Sequence, residues 1–410
     1  MFKKKEFLWN TIGSMVFAVF SAVILMTCTR LNGVEIAGIF SICYATGCIL
    51  NAIGDLGIRI VQVTDTNRKY GYDDYFFARI VALGVMILLA TVFAIVTGYS
   101  NEKLFIFVIL ILIRVLDNFS ETFQAEFQLN NRLDLAGKSL LYRNTLELLT
   151  FIILNKFVGN IYIAFGGMLL IGTLVLIFYE LRNIRKFQNE KFTWRFEKIK
   201  VILRESFPLG ISTLVSMYVI NSVKYAIERM KNNEVQTYFN ILYMPTFVLN
   251  MISLLIIKPF LKIFGEYWNN GQYTDMKKII IRLSLVLVVF GALGELVCAF
   301  IGIPILNWLY KVDLSKYTVC LLIMVLSGLF YAISTIMFYA LGAIRKQRVT
   351  TIIYVLASAF AFGISYALVD KKNTIMGATI SNLCIMIFLF AGLTGAFVFN
   401  YIKMTKKKVK

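Results

Sequence analysis

The residues best suited to chemistry lie in one apolar segment, 104–127, where ionisable and amide side chains recur at helical spacing. They are Arg114, Asp117, Asn118, Glu121 and Gln124. Intervals of three and four residues place them on one face of a helix whose remaining surface is aliphatic and aromatic. Guanidinium groups bind phosphate, and amides bind hydroxyl groups. We therefore predict a polar face that contacts an anionic or hydroxylated ligand; neutralisation of Arg114 by Asp117 or Glu121 is the alternative.

Three more basic residues are candidate contacts for an anionic ligand: Arg30, Lys224 and Lys258. Lys224 and Lys258 lie within apolar segments, where an ammonium group is costly and usually functional. Glu228 follows Lys224 by one helical turn, so a local ion pair is the alternative there. Lys258 can instead extend its ammonium group to the membrane surface. Arg30 is the last residue of the first apolar segment.

Further polar residues within apolar segments predict a hydrated interior cavity. They are Ser41, Asn51, Asp55, Asn221 and Glu228. Hydrogen bonds between helices are the alternative for the serine and asparagine positions. Glu295 has no obvious local partner, so we place it with Asp117 and Glu121 as candidate residues for ion coupling. Glu147 follows Arg143 by one turn, and we expect these two residues to pair.

The composition excludes several classes of protein. Of 410 residues, 59% are hydrophobic and 16% charged, whereas soluble domains average about 45–50% and about 25%. With a mean hydropathy of +0.75, these values exclude a soluble enzyme, a disordered protein and a nucleic-acid-binding protein. The sequence has no histidine, no CxxC pair and no Walker motif. We therefore predict no catalytic residue, no metal site and no bound cofactor.

Twelve apolar runs predict an all-α, polytopic integral membrane protein, because each approaches the roughly 20 residues that cross a bilayer. The runs are 8–30, 37–58, 76–98, 104–127, 140–157, 161–181, 206–229, 238–261, 279–303, 317–342, 349–369 and 374–402. With the N-terminus inside, the inner segments hold 30 basic residues and the outer segments hold 9. This bias predicts that both termini are cytoplasmic, so most of the net charge of +19 reflects topology.

The chain divides into an N-terminal lobe, 1–181, a basic amphipathic linker on the inner membrane surface, 182–205, and a C-terminal lobe, 206–410. The apolar face of the linker consists of Phe192, Phe196, Ile199 and Leu203. A shift of 199 residues superposes the region after the first span on the region after the seventh. The matched pairs are Arg30 and Arg229, Glu35 and Glu234, Phe40 and Phe239, and Ile42 and Ile241. We predict two parallel six-helix lobes around a central cavity, which transport by rocking.

Several short motifs resemble the polysaccharide flippases of the multidrug/oligosaccharidyl-lipid/polysaccharide (MOP) exporter superfamily. The first is Arg30-Leu-Asn-Gly-Val-Glu35-Ile-Ala-Gly38-Ile-Phe40-Ser41. The others are Asp55-Leu56-Gly57 and Phe207-Pro208-Leu209-Gly210-Ile211. The region from Asn221 to Glu228, with Gln236-Thr-Tyr-Phe239 and Tyr243-Met-Pro245, is similar to Wzx-like members in Gram-positive bacteria.

The resemblance implies a transporter, not an enzyme, that moves undecaprenyl-diphosphate-linked oligosaccharides from the inner to the outer leaflet of a bacterial cell membrane. It also implies membrane lipid as a partner, association with a glycan polymerase and glycosyltransferases, and a monomer. The head group would cross a cationic cavity, for which Arg114, Lys224 and Lys258 are suited. Export of a dianion would be driven by the membrane potential, and coupling to H⁺ or Na⁺ is left open.

Two other functions are compatible with the sequence. The first is another transporter of the same fold, either a cation-coupled multidrug exporter or a lipid II flippase. Arg114 and Lys224 disfavour a pocket for cationic drugs. The second is a membrane scaffold or enzyme subunit without transport, whose polar residues would be fully paired and dry.

Overall fold

The computed structural model describes residues 4–65, 68–187, 193–230, 232–257, 260–344, 346–370 and 374–409. These residues form helices and connecting loops, with no strand among them. The chain separates into two compact units, Met1–Met217 and Tyr218–Lys410. We call them unit 1 and unit 2.

Unit 1 contains eight helices and the first part of a ninth. Their bounds are α1 Lys4–Leu31, α2 Val34–Asp55, α3 Ile58–Thr64, α4 Tyr72–Thr97, α5 Asn101–Leu129, α6 Leu133–Val158, α7 Ile161–Val175, α8 Arg182–Ile184 and α9 Phe196–Glu228. A π-helical segment, Leu176–Leu181, joins α7 to α8. The boundary between the units falls within α9.

Unit 2 contains the end of α9 and eight further helices. Their bounds are α10 Asn233–Leu242, α11 Met244–Ile257, α12 Leu261–Asn269, α13 Tyr273–Val297, α14 Ile303–Tyr310, α15 Thr318–Ala343, α16 Gln347–Leu368 and α17 Thr374–Val409. A π-helical segment, Cys298–Gly302, joins α13 to α14. The core of this unit packs α11, α13 and α15 together through residues such as Leu249, Leu287 and Ile336.

Each of the twelve apolar runs coincides with a helix or with two helices in succession. Within the part of the chain that the structure describes, ten helical stretches are long and apolar enough to cross a membrane. Helices α5 and α6 are not among the ten, although each is at least 26 residues long. Both carry ionisable side chains along the buried face, including Arg114 and Asp117 on α5 and Arg143 and Glu147 on α6. These two helices therefore carry much of the polar interior of unit 1.

The structure describes residues 182–187 and 193–205 of the predicted linker. Its last ten residues are the first turns of α9, which continues without a break to Glu228. Ile199 and Ile202 are buried against the protein, in a cluster with Ile58 and Tyr75. Phe192 lies outside the described residues. Pro208 is the third residue of the predicted span 206–229, near the start of that span, but it lies inside α9. Its missing N–H leaves the carbonyl of Arg204 without a helical donor.

A close contact between α2 and α9 explains two of the sequence motifs. Leu56 and Gly57 end α2 in the left-handed conformation, with φ of 47° and 76°. A Cβ atom on Gly57 would lie 2.6 Å from the Cβ of Leu209, and one on Gly210 would lie 2.8 Å from the Cα of Leu56. The glycines at 57 and 210 therefore let the two backbones approach within unit 1.

The helix starts agree with the internal register read from the sequence. Helix α2 begins at Val34 and α10 begins at Asn233, a difference of 199 residues. Helices α4 and α13 begin at Tyr72 and Tyr273, a difference of 201. The two halves therefore repeat the first connections of the fold at nearly constant spacing.

Candidate functional site

The predicted polar face of α5 is directed into unit 1. Arg114, Asp117, Asn118 and Gln124 are at most 9% exposed, whereas Glu121 is partly exposed. Helix α5 contacts α2, α4, α6 and α7, so its polar residues meet polar residues from several other helices. The result is a buried network that begins from three arginines.

The first arginine cluster centres on Asp117. One of its oxygens lies 2.9 Å from Nη1 of Arg114, and the other lies 2.6 Å from Nη2 of Arg143 on α6. The guanidinium of Arg114 also lies 4.6 Å from the centre of the Tyr44 ring and donates to Sγ of Cys48 at 3.4 Å. Arg114 is therefore neutralised by Asp117, but it shares that carboxylate with a second arginine.

Glu147 extends this cluster into α7. Its Oε1 lies 4.0 Å from Nε of Arg143, which confirms the expected pair. Among the described residues, neither oxygen of Glu147 accepts a hydrogen bond. Gly172 on α7 makes room for this carboxylate, because a Cβ atom there would lie 2.2 Å from Oε1.

The second cluster centres on Arg79 of α4, which is fully buried. Its Nη1 lies 3.0 Å from Asp55 and donates to Asn118 at 2.8 Å. Asn118 in turn donates to Asn51 at 2.7 Å. The charge count from the sequence includes Arg79 in the inner segment 59–79, and in the structure it lies within α4, which begins at Tyr72. These bonds tie the ends of α2, α4 and α5 together.

A third group of bonds accounts for Gln124. Its amide donates to Ser120 at 2.9 Å and to Ser139 at 3.3 Å. Both hydroxyl groups donate to Glu180, which is fully buried in the π-helical segment after α7. Glu180 was not singled out in the sequence, because it stands at the end of an apolar run with no charged residue one turn away. Gln124 therefore joins α5, α6 and the segment after α7.

The remaining candidates of unit 1 are placed separately. Glu121 lies 3.8 Å from Nη1 of Arg59, with both side chains partly exposed. Ser41 is buried in α2. Arg30 occupies the last turn of α1 and is partly exposed. Neither Ser41 nor Arg30 is brought into the arginine clusters by the hydrogen bonds and ion pairs described above.

The other candidates belong to unit 2. The ammonium group of Lys224 on α9 lies 5.9 Å from the centre of the Tyr243 ring. Asn221 is buried one turn before it, and Glu228 lies one turn after it. Glu295, on the last turns of α13, is partly buried, and its carboxylate forms no ion pair or hydrogen bond with any described residue. Lys258 lies outside the described residues.

The polar clusters offer no metal site. Within the described part of the chain, no group of three histidine, cysteine or acidic residues is arranged to hold a metal ion. All six cysteines are free thiols. The chemistry available to the described clusters is therefore ion pairing and hydrogen bonding around buried guanidinium groups.

Comparison with known proteins identifies the family and the fold. The family model described as "Polysaccharide biosynthesis protein" matches residues 4–261, more than half of the chain. No curated protein matches the sequence significantly.

Three solved structures illustrate the likeness in fold. An inward-facing multidrug resistance MATE transporter of the MOP superfamily shares 13% identity and a TM-score of 0.73, with 99% of this chain and 100% of that chain covered. The lipid II flippase MurJ, in an inward closed conformation, shares 14% identity and a TM-score of 0.72, over 98% and 91%. A MOP superfamily transporter from Pyrococcus furiosus shares 15% identity and a TM-score of 0.56, over 98% and 95%.

At these identities the likeness establishes the fold. The predicted all-α, multi-pass membrane class is confirmed, and the family match supports the resemblance to proteins of polysaccharide biosynthesis.

Proposed function

Because this chain belongs to the polysaccharide biosynthesis protein family, we propose that it is a flippase for undecaprenyl-diphosphate-linked oligosaccharides. It moves the completed repeat unit from the inner to the outer leaflet of a bacterial cell membrane, by alternating access of the lobes 1–181 and 206–410. The family match is the observation that carries this proposal. The fold shared with the lipid II flippase MurJ supports it.

The Asp117 cluster supplies a way to bind and release the diphosphate. Asp117 bonds both Arg114 and Arg143, so it can stay paired with Arg143 at 2.6 Å when Arg114 turns to an entering phosphate. Arg114 then exchanges one charge-assisted bond for another, and no carboxylate is left buried alone. When the lipid leaves, Asp117 recaptures Arg114. Asp117 is in this scheme a positioning residue for the phosphate contact.

The other polar residues of unit 1 divide into two roles. Asn51 and Glu121 are partly exposed and can accept hydroxyl groups of a sugar. Asn118 and Gln124 are buried with their amides engaged, so they hold helices together. Asp55 does the same through Arg79.

Lys224 is the corresponding cation of unit 2, close to the ring of Tyr243. Lys258 and Arg30 are further proposed contacts for the anionic head group. A lysine ammonium binds phosphate as a point charge, without the fixed fork of a guanidinium.

The membrane potential is sufficient to drive the proposed export. Moving one charge across 100 mV is worth about 2.3 kcal/mol, and a diphosphate carries roughly two. Coupling to H⁺ or Na⁺ through Glu295 or Glu121 is a further proposal. Asp117 is less suited to that role because both of its carboxylate oxygens already contact guanidinium groups. A monomer working beside a glycan polymerase and glycosyltransferases completes the proposal.

The decisive experiment measures the pool of undecaprenyl-diphosphate oligosaccharides in cells depleted of this protein. We expect a completed repeat unit to accumulate in the inner leaflet, and its analysis would identify the sugar. Arg114→Ala and Lys224→Ala should reproduce the accumulation at normal protein level. An unchanged pool with altered sensitivity to cationic drugs would instead indicate a multidrug exporter.

A further inference from the structure

Unit 1 carries an apolar groove that the buried polar network does not use. It has a volume of about 610 Å³ and lies between α2, α4 and α9. Its walls are aliphatic, with Ala52 and Leu56 from α2 and Val81 and Val85 from α4. Such a surface has no donor or acceptor for a sugar, but it suits a hydrocarbon chain.

The close approach of α2 and α9 shapes the groove. Gly210 and Leu56 both line it, and they are the residues at which the two backbones nearly touch. Phe207 and Ile211 continue the wall along α9. Phe207 is 56% exposed and Val85 is 45% exposed, so the groove has an open side through which a chain can enter.

One end of the groove is marked by a cation. Arg204 is the basic residue of the lining, and it forms no ion pair with any residue that the structure describes. Two other cations of unit 1 do form ion pairs: Lys69 with Glu205 at 3.3 Å, and Arg59 with Glu121 at 3.8 Å. An exposed guanidinium beside an apolar channel is complementary to a phosphate with a hydrocarbon tail.

The length of the groove matches one leaflet. From Arg204 to Leu214 there are ten residues of α9, or about 15 Å at 1.5 Å per residue. This is half of the roughly 30 Å hydrocarbon core of a bilayer. A lipid with its phosphate at Arg204 would therefore lie along the groove as it lies in a single leaflet.

A second apolar hollow in unit 1 provides a contrast. It measures about 490 Å³ and lies between α4 and α5, where Ile87 and Ile111 line it. Its lining contains no basic residue. The combination of an apolar wall and a cation at one end therefore distinguishes the groove on α9 from an ordinary lipid-facing hollow.

We infer that the α2–α4–α9 groove binds the polyprenyl chain of a phosphate-linked lipid, with Arg204 against the phosphate nearest to the chain. This inference rests on the proposed flippase function and adds a binding site for the polyprenyl chain outside the polar network. The groove holds the polyprenyl chain along unit 1 while the polar network binds the head group.

The test uses the full-length protein in nanodiscs and a polyprenyl phosphate with a diazirine on its chain. Illumination should attach the probe to residues 203–214 and 81–89. Unlabelled polyprenyl phosphate should reduce labelling at least fivefold more than the same concentration of phosphatidylglycerol. Equal competition by phosphatidylglycerol would mean that an ordinary bilayer lipid occupies the groove, and would overturn the inference.

Matched variants check the position. Val85→Trp and Ile211→Trp fill the groove from two different helices and should each lower labelling severalfold, whereas Leu88→Trp should not. Leu88 is 63% exposed on the same helix as Val85 and does not line the groove. Normal labelling in both filled variants would contradict the inference.

A second pair of variants tests the phosphate contact. Arg204→Gln should weaken probe binding, and Lys200→Gln, an exposed residue one turn earlier on α9, should not. Equal binding in the two variants would remove Arg204 from the site. The depletion experiment separates this inference from the proposed function. Normal glycan export by Val85→Trp would show that the groove is not needed for transport and would overturn the inference. An unchanged lipid pool on depletion would refute the flippase function itself.

Discussion

Replacing Arg143 should destabilise the protein more than replacing Arg114, although both arginines bond the same carboxylate. Arg143→Gln removes the 2.6 Å bond to Asp117 and also leaves Glu147 without its cation. Removing one partner of a buried ion pair costs about 3–5 kcal/mol. Arg114→Gln leaves Asp117 paired with Arg143, so the loss is a single charge-assisted bond, worth about 1.5–3 kcal/mol. Part of that loss is offset because a buried guanidinium is also removed.

The assay is thermal unfolding of the purified protein in detergent, together with glycan export in cells. One kcal/mol shifts Tm by about 2–4 °C for a domain of 150–250 residues. Arg143→Gln should therefore lower Tm by about 6–20 °C. Arg114→Gln should lower Tm by less than half of the change measured for Arg143→Gln. Export should nevertheless fail in Arg114→Gln at normal protein level, because the phosphate contact is lost.

Two results would refute this reasoning. If Arg114→Gln unfolds as readily as Arg143→Gln, Asp117 does not remain satisfied by Arg143 alone. If Arg114→Gln exports normally, Arg114 has no role in binding the substrate. Lys200→Gln serves as the control for removal of a positive charge, because Lys200 is exposed and outside the network.

Three further predictions concern unit 1. Gly57→Ala should lower Tm more than Gly98→Ala. Both glycines have positive φ, but only an alanine at 57 would also place its Cβ against Leu209. Equal losses of Tm in the two variants would contradict the packing argument. Arg79→Met should destabilise unit 1 by about 3–5 kcal/mol in denaturant unfolding, because Asp55 loses its cation; a change below about 1 kcal/mol would exclude this. Burial raises the pKa of Asp65, but hydrogen bonds from the amides of Tyr70 and Lys69 and the hydroxyl of Tyr75, with the charge of Lys69, leave the pKa below its ordinary value. The contribution of Asp65 to folding stability is therefore present above the unfolded pKa and is lost as pH falls through the folded pKa. Asp65→Asn should consequently make Tm depend less steeply on pH in the acid range. An unchanged acid dependence of Tm would refute this prediction.

The spans and the polar face of α5 could be predicted because hydropathy and helical periodicity are local properties of the sequence. Arg114 and Asp117 are three residues apart, so their pairing follows from one helix alone. The ion pair between Arg143 and Asp117 cannot be predicted in this way, because Arg143 lies on α6 and the pair depends on how α5 and α6 pack.

Charge counting also misplaced a buried residue. Arg79 stands near the end of an apolar run, where a basic residue ordinarily lies in a loop. Helix α4 begins seven residues earlier, at Tyr72, and Arg79 is consequently enclosed by Asp55, Asn118 and Thr122. The acceptors that satisfy it lie 24 to 43 residues away in the chain, so no local pattern identifies them.

The contact of Leu56 and Gly57 with Leu209 and Gly210 has a consequence for mutational tolerance. The two motifs are about 150 residues apart in the printed sequence, yet they occupy one another's space. A scan of all single substitutions should therefore show a shared pattern of intolerance at the two places. The stability lost to a bulky residue in one motif should be restored only by a smaller residue in the other. The two motifs should therefore vary together, with their summed side-chain volume kept constant.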